Sequence, residues 1–458
     1  LGWYELAIDD CRLFYHPEIA NSVTLADQTS VRLLRIADGR TANEVLALDG
    51  RSAQTVAAEI NYFVAKGLLD RPTRPALDSP TEAVTAPKRA ISVWLHVSNA
   101  CNLDCVYCYI AKSKSRMSME QAVSAVDSVL DSARKADADV LIKFAGGEPT
   151  VSLDLVRGVV RHARHRAAGV RVRLGMITNG TLITSDVARY LSEEGFGVAV
   201  SLDGPPEVND MLRPTRGGRG SFSKAMEGIH RLQANGVNPT VMTTVTDANF
   251  RSLPTFAEEM IERGLRFRLS LERDGVNTTP RLTEQQDELC ETLDHCYDRM
   301  ESLRPSRPLD QWHKFCDVSF EKPRTSVCGA GRNYLAIGHD GSLAECGLAL
   351  ARPIMRSTPG LDLVESVRTR SRIERGRNVQ ARTGCDKCEW RSSCAGGCPF
   401  MAMNEHGAVA RRSPYCQTYK RVLPRLLRLE GLYLRDCLNS TRGGADAHHR
   451  HGVGAAIG

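Results

Sequence analysis

Three cysteines, Cys101, Cys105 and Cys108, stand in the run Cys101-Asn102-Leu103-Asp104-Cys105-Val106-Tyr107-Cys108. Three thiolates over eight residues can hold three irons of a cubane cluster and leave the fourth iron open to a chelating ligand. A structural site closes its shell with four protein ligands. Zinc pairs usually read C-x2-C twice, and ferredoxin runs carry a fourth cysteine nearby. Neither pattern is met, because the next cysteine after Cys108 is Cys290. The alternatives are unrelated core thiols or a degenerate zinc loop. The spacing favours the open-iron site, and with it an enzyme.

Short runs rich in branched residues lie at 91–97, 140–144, 172–177, 198–202, 240–245 and 265–271, and each reads as a strand. Between them come longer stretches with helical spacing, such as Met119, Ala122, Val123, Val126, Val129, Leu130 and Ala133. Six such units make an α/β fold, a parallel sheet with crossover helices curled into a partial (β/α)6 TIM-like barrel. Chemistry on that architecture gathers at the C-terminal ends of the strands. The motifs fall there. The cysteine loop follows the first strand, Gly146-Gly147-Glu148-Pro149 the second and Thr178-Asn179-Gly180 the third, while Ser201 to Asp203 ends the fourth. Two glycines let backbone approach a ligand closely, and Glu148 supplies an acceptor for an ammonium group.

Residues 1–70 read as a small separate domain, followed by a linker at 71–88 with four prolines and little periodicity. The barrel is expected over 89–305. From 306 to 425 the pattern turns to short strands, loops and cysteines, with Asp340-Gly341 as a hairpin turn between 335–337 and 342–344. Residues 426–458 finish a helix and run into a Gly-, Ala- and His-rich tail, read as a disordered end rather than a metal site.

The chain has 458 residues, of which 42% are hydrophobic, enough for two or three domains. A formal charge of +6 is small over that length. Arginines at 366–382 and 411–428 read as solvated faces, since no nucleic-acid recognition motif accompanies them. No apolar run approaches the ~18–20 residues a membrane span needs. Residues 1–10 have neither a basic leader nor an apolar core, so no secretion signal is expected. Fifteen cysteines in such a chain imply reduced thiols in a cytoplasm, where cluster ligation is favoured over disulfides. Cys11, Cys290, Cys296, Cys316 and Cys437 fall outside spaced motifs, and most of them read as small buried hydrophobes.

The pattern C-x3-C-x-aromatic-C, with Tyr107 as the aromatic, resembles the radical S-adenosylmethionine (SAM) superfamily. The resemblance implies that Cys101, Cys105 and Cys108 hold a [4Fe–4S] cluster whose open iron takes the amino and carboxylate groups of SAM. Gly146, Gly147 and Glu148 would hold the methionyl amino group, with Tyr107 also beside the cofactor. The run Ser201-Leu202-Asp203-Gly204-Pro205-Pro206, followed by Met211-Leu212-Arg213, looks like the carboxylate-binding segment of the peptide-modifying branch. Ser201 and Arg213 keep its interval of twelve positions. Thr178 and Asn179 would line the ribose side. One electron from the cluster then splits SAM into methionine and a 5′-deoxyadenosyl radical, which removes hydrogen from an unactivated carbon.

Cys385-x2-Cys388-x5-Cys394-x3-Cys398 is followed by Cys416 and preceded by Cys328 and Cys346. The close four alone could form a zinc ribbon. Seven in this order resemble the SPASM extension, which holds two auxiliary [4Fe–4S] clusters and brings the total to three. The resemblance implies Cys328, Cys346 and Cys398 for the first auxiliary cluster, and Cys385, Cys388, Cys394 and Cys416 for the second. The first is one ligand short, since Tyr334 stands where some relatives have a cysteine. Cys316 completes it, or its iron stays open to substrate.

Within 1–70, strands at 11–15 and 22–25 precede helices at 28–37, 41–47 and 53–66. This order resembles the winged-helix peptide-recognition module of peptide-modifying pathways, including the pyrroloquinoline quinone chaperone. Those modules take a leader peptide as an added strand. The alternatives are a packing or dimerisation module, or a DNA-binding winged helix whose third helix is here not basic. The combination suggests a maturase that cross-links a ribosomally made precursor peptide through a carbon–carbon, ether or thioether bond. Its partners would be that peptide and an external one-electron donor such as flavodoxin or ferredoxin, with no nucleic acid and no membrane. The nearest rival is an anaerobic sulfatase maturase, which makes formylglycine from Cys or Ser. That family carries an aspartate base after the second SPASM cysteine, where this chain has Gly347. A non-catalytic cluster or zinc scaffold is the rival from another class.

Overall fold

A computed structural model describes residues 3–20, 22–69, 90–273, 281–304, 313–358, 360–373 and 377–441. The linker expected at 71–88 and the tail beyond 441 lie outside them.

The N-terminal unit opens with an antiparallel sheet of β1 (Tyr4–Ile8), β2 (Cys11–Tyr15) and β3 (Thr24–Ala26), in that order. Three helices follow, Gln28–Ala37, Ala42–Asp49 and Ala53–Ala65. Each has a sequence-encoded start. Asp27 accepts from the Ser30 N–H, Glu44 accepts from the Thr41 N–H, and Ser52 accepts from the Thr55 N–H. Val31, Leu33, Val45, Val56 and Phe63 form a small core of their own. Strand β1 was not expected from the sequence. It pairs with all of β2 across a two-residue turn in which Asp9 has φ +51°.

The main sheet holds β4 (Ala90–Ser98), β5 (Asp139–Gly146), β6 (Val172–Thr178), β7 (Phe196–Ser201), β8 (Thr240–Val245), β9 (Arg266–Leu271), β10 (His313–Phe315), β11 (Tyr334–Ile337), β12 (Ser342–Ala344) and β13 (Met355–Arg356). Their order is β10-β9-β8-β7-β6-β5-β4-β11-β12-β13. β4 to β10 run parallel, β11 joins β4 in parallel, and β12 and β13 return antiparallel. The expected six-stranded barrel is therefore extended at both edges by strands two to four residues long. The region expected as a separate cysteine-rich domain shares the barrel's sheet.

Alternation sorts the barrel strands into two faces. Val93, Leu95, Ile142 and Phe144 point outward and are buried, with Ala125, Val126 and Val129 of the helix Met119–Lys135 packed over them. Burying each such aliphatic side chain contributes about 1.5–3 kcal/mol. The inner face carries Ser92, Trp94, Lys143, Arg173, Gly175, Thr244 and Arg268 in the opposite phase. A helix runs unbroken from Cys416 to Thr441 through Pro424, across the boundary expected at 425. It carries part of the arginine-rich segment read as a solvated face. Arg421, Arg425 and Arg428 instead pair with Asp294, Asp298 and Glu301 of the helix Gln286–Leu303. Among the described residues, no helix is long and apolar enough to cross a membrane.

Candidate active site

The cysteine loop after β4 is pinned from three sides. Gly147 and Glu148 donate backbone N–H groups to Ser98 O at 2.7 Å and Ala100 O at 2.9 Å. Asp104 and Val106 donate to Pro214 O at 2.8 Å and Leu212 O at 3.0 Å. Asn102 donates to Thr181 Oγ1 at 2.7 Å and accepts from Asn179 Nδ2 at 2.9 Å. The glycines are required by this docking. A Cβ on Gly147 would stand 2.4 Å from Ala100 O, and one on Gly146, whose φ is +141°, 2.5 Å from Ser98 O. The close approach expected toward a ligand is thus first an approach to the cysteine loop itself.

The loop's sulfur atoms face one another's charge. Burial raises the Cys101 and Cys105 thiols, and each is raised further by Cys108. Lys112, which the sequence reading passed over, donates from Nζ to Cys108 Sγ at 2.8 Å. Among the described residues, no three His, Cys, Asp or Glu side chains converge on a point as one bound ion would require. A cubane takes its thiolates at separate corners. Three sulfur donors sharing one loop with a lysine as counter-charge fit such a cluster.

Glu148 is 1% exposed, and its carboxylate is fully oriented. Oε1 accepts from Thr150 N at 3.0 Å, Thr150 Oγ1 at 2.6 Å and Thr178 Oγ1 at 2.8 Å. Oε2 accepts from Asn179 N at 2.7 Å. Burial raises its pKa, and those four donors work against the rise. Thr178 and Asn179, expected on the ribose side, spend these donors on Glu148.

Arg213 meets Asp203, a residue the sequence reading did not assign. Its Nη1 lies 3.2 Å from Asp203 Oδ2 and also donates to Tyr107 OH, which in turn donates to the same carboxylate oxygen. Asp203 Oδ1 accepts from Thr244 N at 2.9 Å, tying the end of β7 to β8. The triad buries a cation beside the cysteine loop with its counter-charge built in. Ser201, at the end of β7, is half-buried.

The C-terminal cysteines separate into two groups. Cys385, Cys388, Cys394 and Cys416 together line one pocket, with Trp390, Arg412 and Tyr419. Burial raises Cys385 to about 11 and Cys394 to about 12, with the neighbouring thiols adding to each. Four sulfur donors around one cavity fit a second cluster. Cys328, Cys346 and Cys398 form the other group, since Cys398 and Cys328 both push the buried Cys346 thiol up. Cys316 is tied to this group through shared neighbours, since Arg273 and Asp317 act on Cys328 and Cys398 as well. Its sulfur lies 3.2 Å from Arg268 Nη2 and also receives Arg273. Arg273 holds Asp317 at 2.9 Å, and Tyr419 OH donates to Asp317 at 3.0 Å. The carboxylate of Asp317 thereby stays below its ordinary range despite burial. None of the fifteen cysteines forms a disulfide.

Residues 95–260 match the radical SAM superfamily. An uncharacterised protein of Methanocaldococcus jannaschii is 31% identical over 38% of this chain and 59% of its own length. The chain thus spans less than two thirds of that relative. A cysteine-type anaerobic sulfatase-maturating enzyme of Clostridium perfringens is 24% identical over 72% of this chain and 95% of its own. Mycofactocin maturase MftC of Mycobacterium tuberculosis is 28% identical over 65% and 75%. Among solved structures, native anSMEcpe with bound AdoMet superposes with a TM-score of 0.62 at 22% identity, covering 75% of this chain and 99% of its own. Streptococcus suis SuiB bound to precursor peptide SuiA gives 0.51 at 13% identity, over 90% and 100%. Residues 95–260 thus carry a radical SAM domain, and the chain is an enzyme similar to both the anaerobic sulfatase maturases and the peptide-modifying maturases.

Proposed function

We propose that this enzyme matures a ribosomally synthesised precursor peptide, removing a hydrogen from a core residue and closing an intrapeptide cross-link. The observation that carries this reading is the N-terminal unit docked on the cysteine-rich lobe. Tyr15 OH shares a 2.6 Å hydrogen bond with Ser393 Oγ, and Tyr4 stacks on Trp390 at 4.4 Å. Trp390 and Ser393 lie within the Cys388–Cys394 segment that walls the second cluster cavity. A unit so placed can deliver a leader-bound peptide to the same molecule that does the chemistry.

The N-terminal unit serves as the leader-recognition module. β3 ends the sheet order and offers its edge to an added strand, beside the helix Cys416–Thr441, which touches both β1 and β3. Tyr62 of the helix Ala53–Ala65 is half exposed and reaches Thr24 of β3, flanking that edge. The likeness to SuiB, solved with its precursor peptide, and to the maturase MftC supports the same assignment.

Within the site, Cys101, Cys105 and Cys108 hold the SAM cluster, Cys385, Cys388, Cys394 and Cys416 a second, and Cys328, Cys346 and Cys398 a third with one iron open. A cluster held by Cys101, Cys105 and Cys108 would, once reduced by an external carrier such as flavodoxin or ferredoxin, supply the electron for homolytic cleavage of SAM. Glu148, fixed by four donors, receives the methionyl ammonium. Ser201 and the Arg213 guanidinium, anchored by Asp203, orient the carboxylate. Trp94 and Tyr334 bound the inner face against water.

The sulfatase-maturase reading is supported by a relative aligned over 95% of its length. The aspartate its mechanism needs is absent, however, because Gly347 follows Cys346 and packs under the Trp94 indole. The test is mass spectrometry of the short peptide encoded beside the gene, after anaerobic reaction with SAM and reductant. Loss of two hydrogens per cross-link is expected. An unchanged peptide, with formylglycine appearing in a sulfatase-derived peptide, would reverse the assignment.

A further inference from the structure

Strand β4 leaves a row of unanswered polar atoms on the inner face of the barrel. Ser92 Oγ, Trp94 Nε1 and His96 Nδ1 are buried with no hydrogen-bond partner among the described residues. The three residues alternate along one strand, so their side chains point to the same side of the sheet. A buried polar atom is costly unless something answers it. Ser92 lies at the end of β4 remote from the cysteine loop. Trp94 and His96 lie toward that loop, and an indole N–H can only donate.

His96 is 4% exposed, stands in register with Ala145 on β5, and lies two residues before Ser98, whose carbonyl anchors Gly147. Its Nε2 lies 2.7 Å from Asn99 Oδ1. A carboxamide oxygen only accepts, so Nε2 carries the proton and Nδ1 is a bare acceptor. The Cδ2 edge of the ring faces Gly146, 3.5 Å from where a Cβ on that glycine would stand. Nδ1 therefore lies on the opposite edge. β4 has β11 on its other side, and the turn from β11 to β12 brings the His339 ring to 5.9 Å, centroid to centroid. Burial first, then His339 and Lys112, hold the imidazole below the ordinary histidine range, against the Asn99 hydrogen bond and Asp340. Its lone pair is thus free at neutral pH. The nearby carboxylates are committed elsewhere, Glu148 to four donors, Asp203 to Arg213 and Asp317 to Arg273.

Closing a cross-link with loss of two hydrogens leaves one proton to place. One hydrogen atom leaves a substrate carbon for the 5′-deoxyadenosyl radical. The partner group X–H then bonds to that carbon with its electron pair and sheds a proton, and the one electron left over goes to an oxidised iron–sulfur cluster of the Cys328, Cys346 and Cys398 group. We propose that His96 Nδ1 accepts this proton, while Trp94 Nε1 donates to a carbonyl of the same substrate segment. The proposal rests on the peptide-maturase reading and deepens it. The group joined to the attacked carbon is one that sheds a proton, such as a thiol, hydroxyl or indole.

The test uses full-length, iron-loaded protein with SAM, reductant and the precursor encoded beside the gene, and reads cross-linked peptide formed per 5′-deoxyadenosine released. His96→Gln keeps a donor where Nε2 meets Asn99 and removes the basic nitrogen. A general base speeds its step by roughly 10²–10⁴-fold, so cross-link per nucleoside should fall at least about tenfold. Should that variant lose iron, His96→Asn is read in its place, with the same expectation. In wild type the ratio should fall as pH drops through the acidic range, where His96 gains its proton, and the variants should lose that dependence. Trp94→Phe should weaken precursor binding, measured without reductant, by roughly 2–12-fold, the range of one neutral hydrogen bond. A wild-type ratio in the His96 variant overturns the proposal. So does a parallel loss of nucleoside and cross-link, because His96 then only positions other groups. Undiminished binding by Trp94→Phe overturns the part assigned to the indole. Wild-type enzyme that releases nucleoside and leaves the precursor unchanged sinks the maturase reading itself, and this proposal with it.

Discussion

Gly347 and Trp94 exclude one another's growth: a Cβ on Gly347 would stand 2.9 Å from Trp94 Cε2, closer than side chains approach. Trp94 comes from β4 and Gly347 from the turn after Cys346, so the pair locks the barrel to the auxiliary lobe. Gly347→Asp should therefore destabilise the protein by about 1–3 kcal/mol, the range for overpacking. It should supply no formylglycine activity. Adding Trp94→Ala should recover part of that stability, giving a non-additive cycle in thermal unfolding. Additive losses would show that the two do not share the space.

Asp203 is the counter-charge that keeps Arg213 in place. Asp203→Asn leaves a buried guanidinium without its carboxylate, which costs about 3–5 kcal/mol. A lower unfolding midpoint and weakened SAM binding are expected together. Arg213→Lys should not substitute, because an ammonium lacks the planar fork that reaches Asp203 and Tyr107 together. Unchanged SAM affinity in both variants would remove the triad from the cofactor site.

Cys316 gives its sulfur to Arg268 and Arg273, while Arg273 and Asp317 also act on Cys328 and Cys398. Cys316→Ala is accordingly expected to keep the full iron of three cubanes, about twelve atoms per chain. Cys346→Ala should lose about four. Loss of iron from Cys316→Ala would instead make it the fourth ligand of the first auxiliary cluster.

Much of the barrel was legible because branched residues cluster in its strands and the motifs follow those strands. β10 and β13 were not, being three and two residues long and without periodicity. Tyr4–Ile8 was passed over although Tyr4, Leu6 and Ile8 alternate with exposed Glu5 and Ala7, because the run is short and abuts Asp9 and Asp10. In the site, the cysteine spacing and the Gly-Gly-Glu turn announced themselves. Asp203 did not, because its partnership with Arg213 and Tyr107 is made across loops and obeys no spacing rule.

The most direct test follows the hydrogen. The precursor peptide is made with deuterated side chains and reacted anaerobically with reduced, iron-loaded enzyme and SAM, and the nucleoside product is weighed. Deuterium in 5′-deoxyadenosine, with a cross-linked peptide beside it, is the predicted result. Nucleoside released without deuterium, from a peptide whose mass never changes, would contradict the assignment of this chain as a peptide maturase.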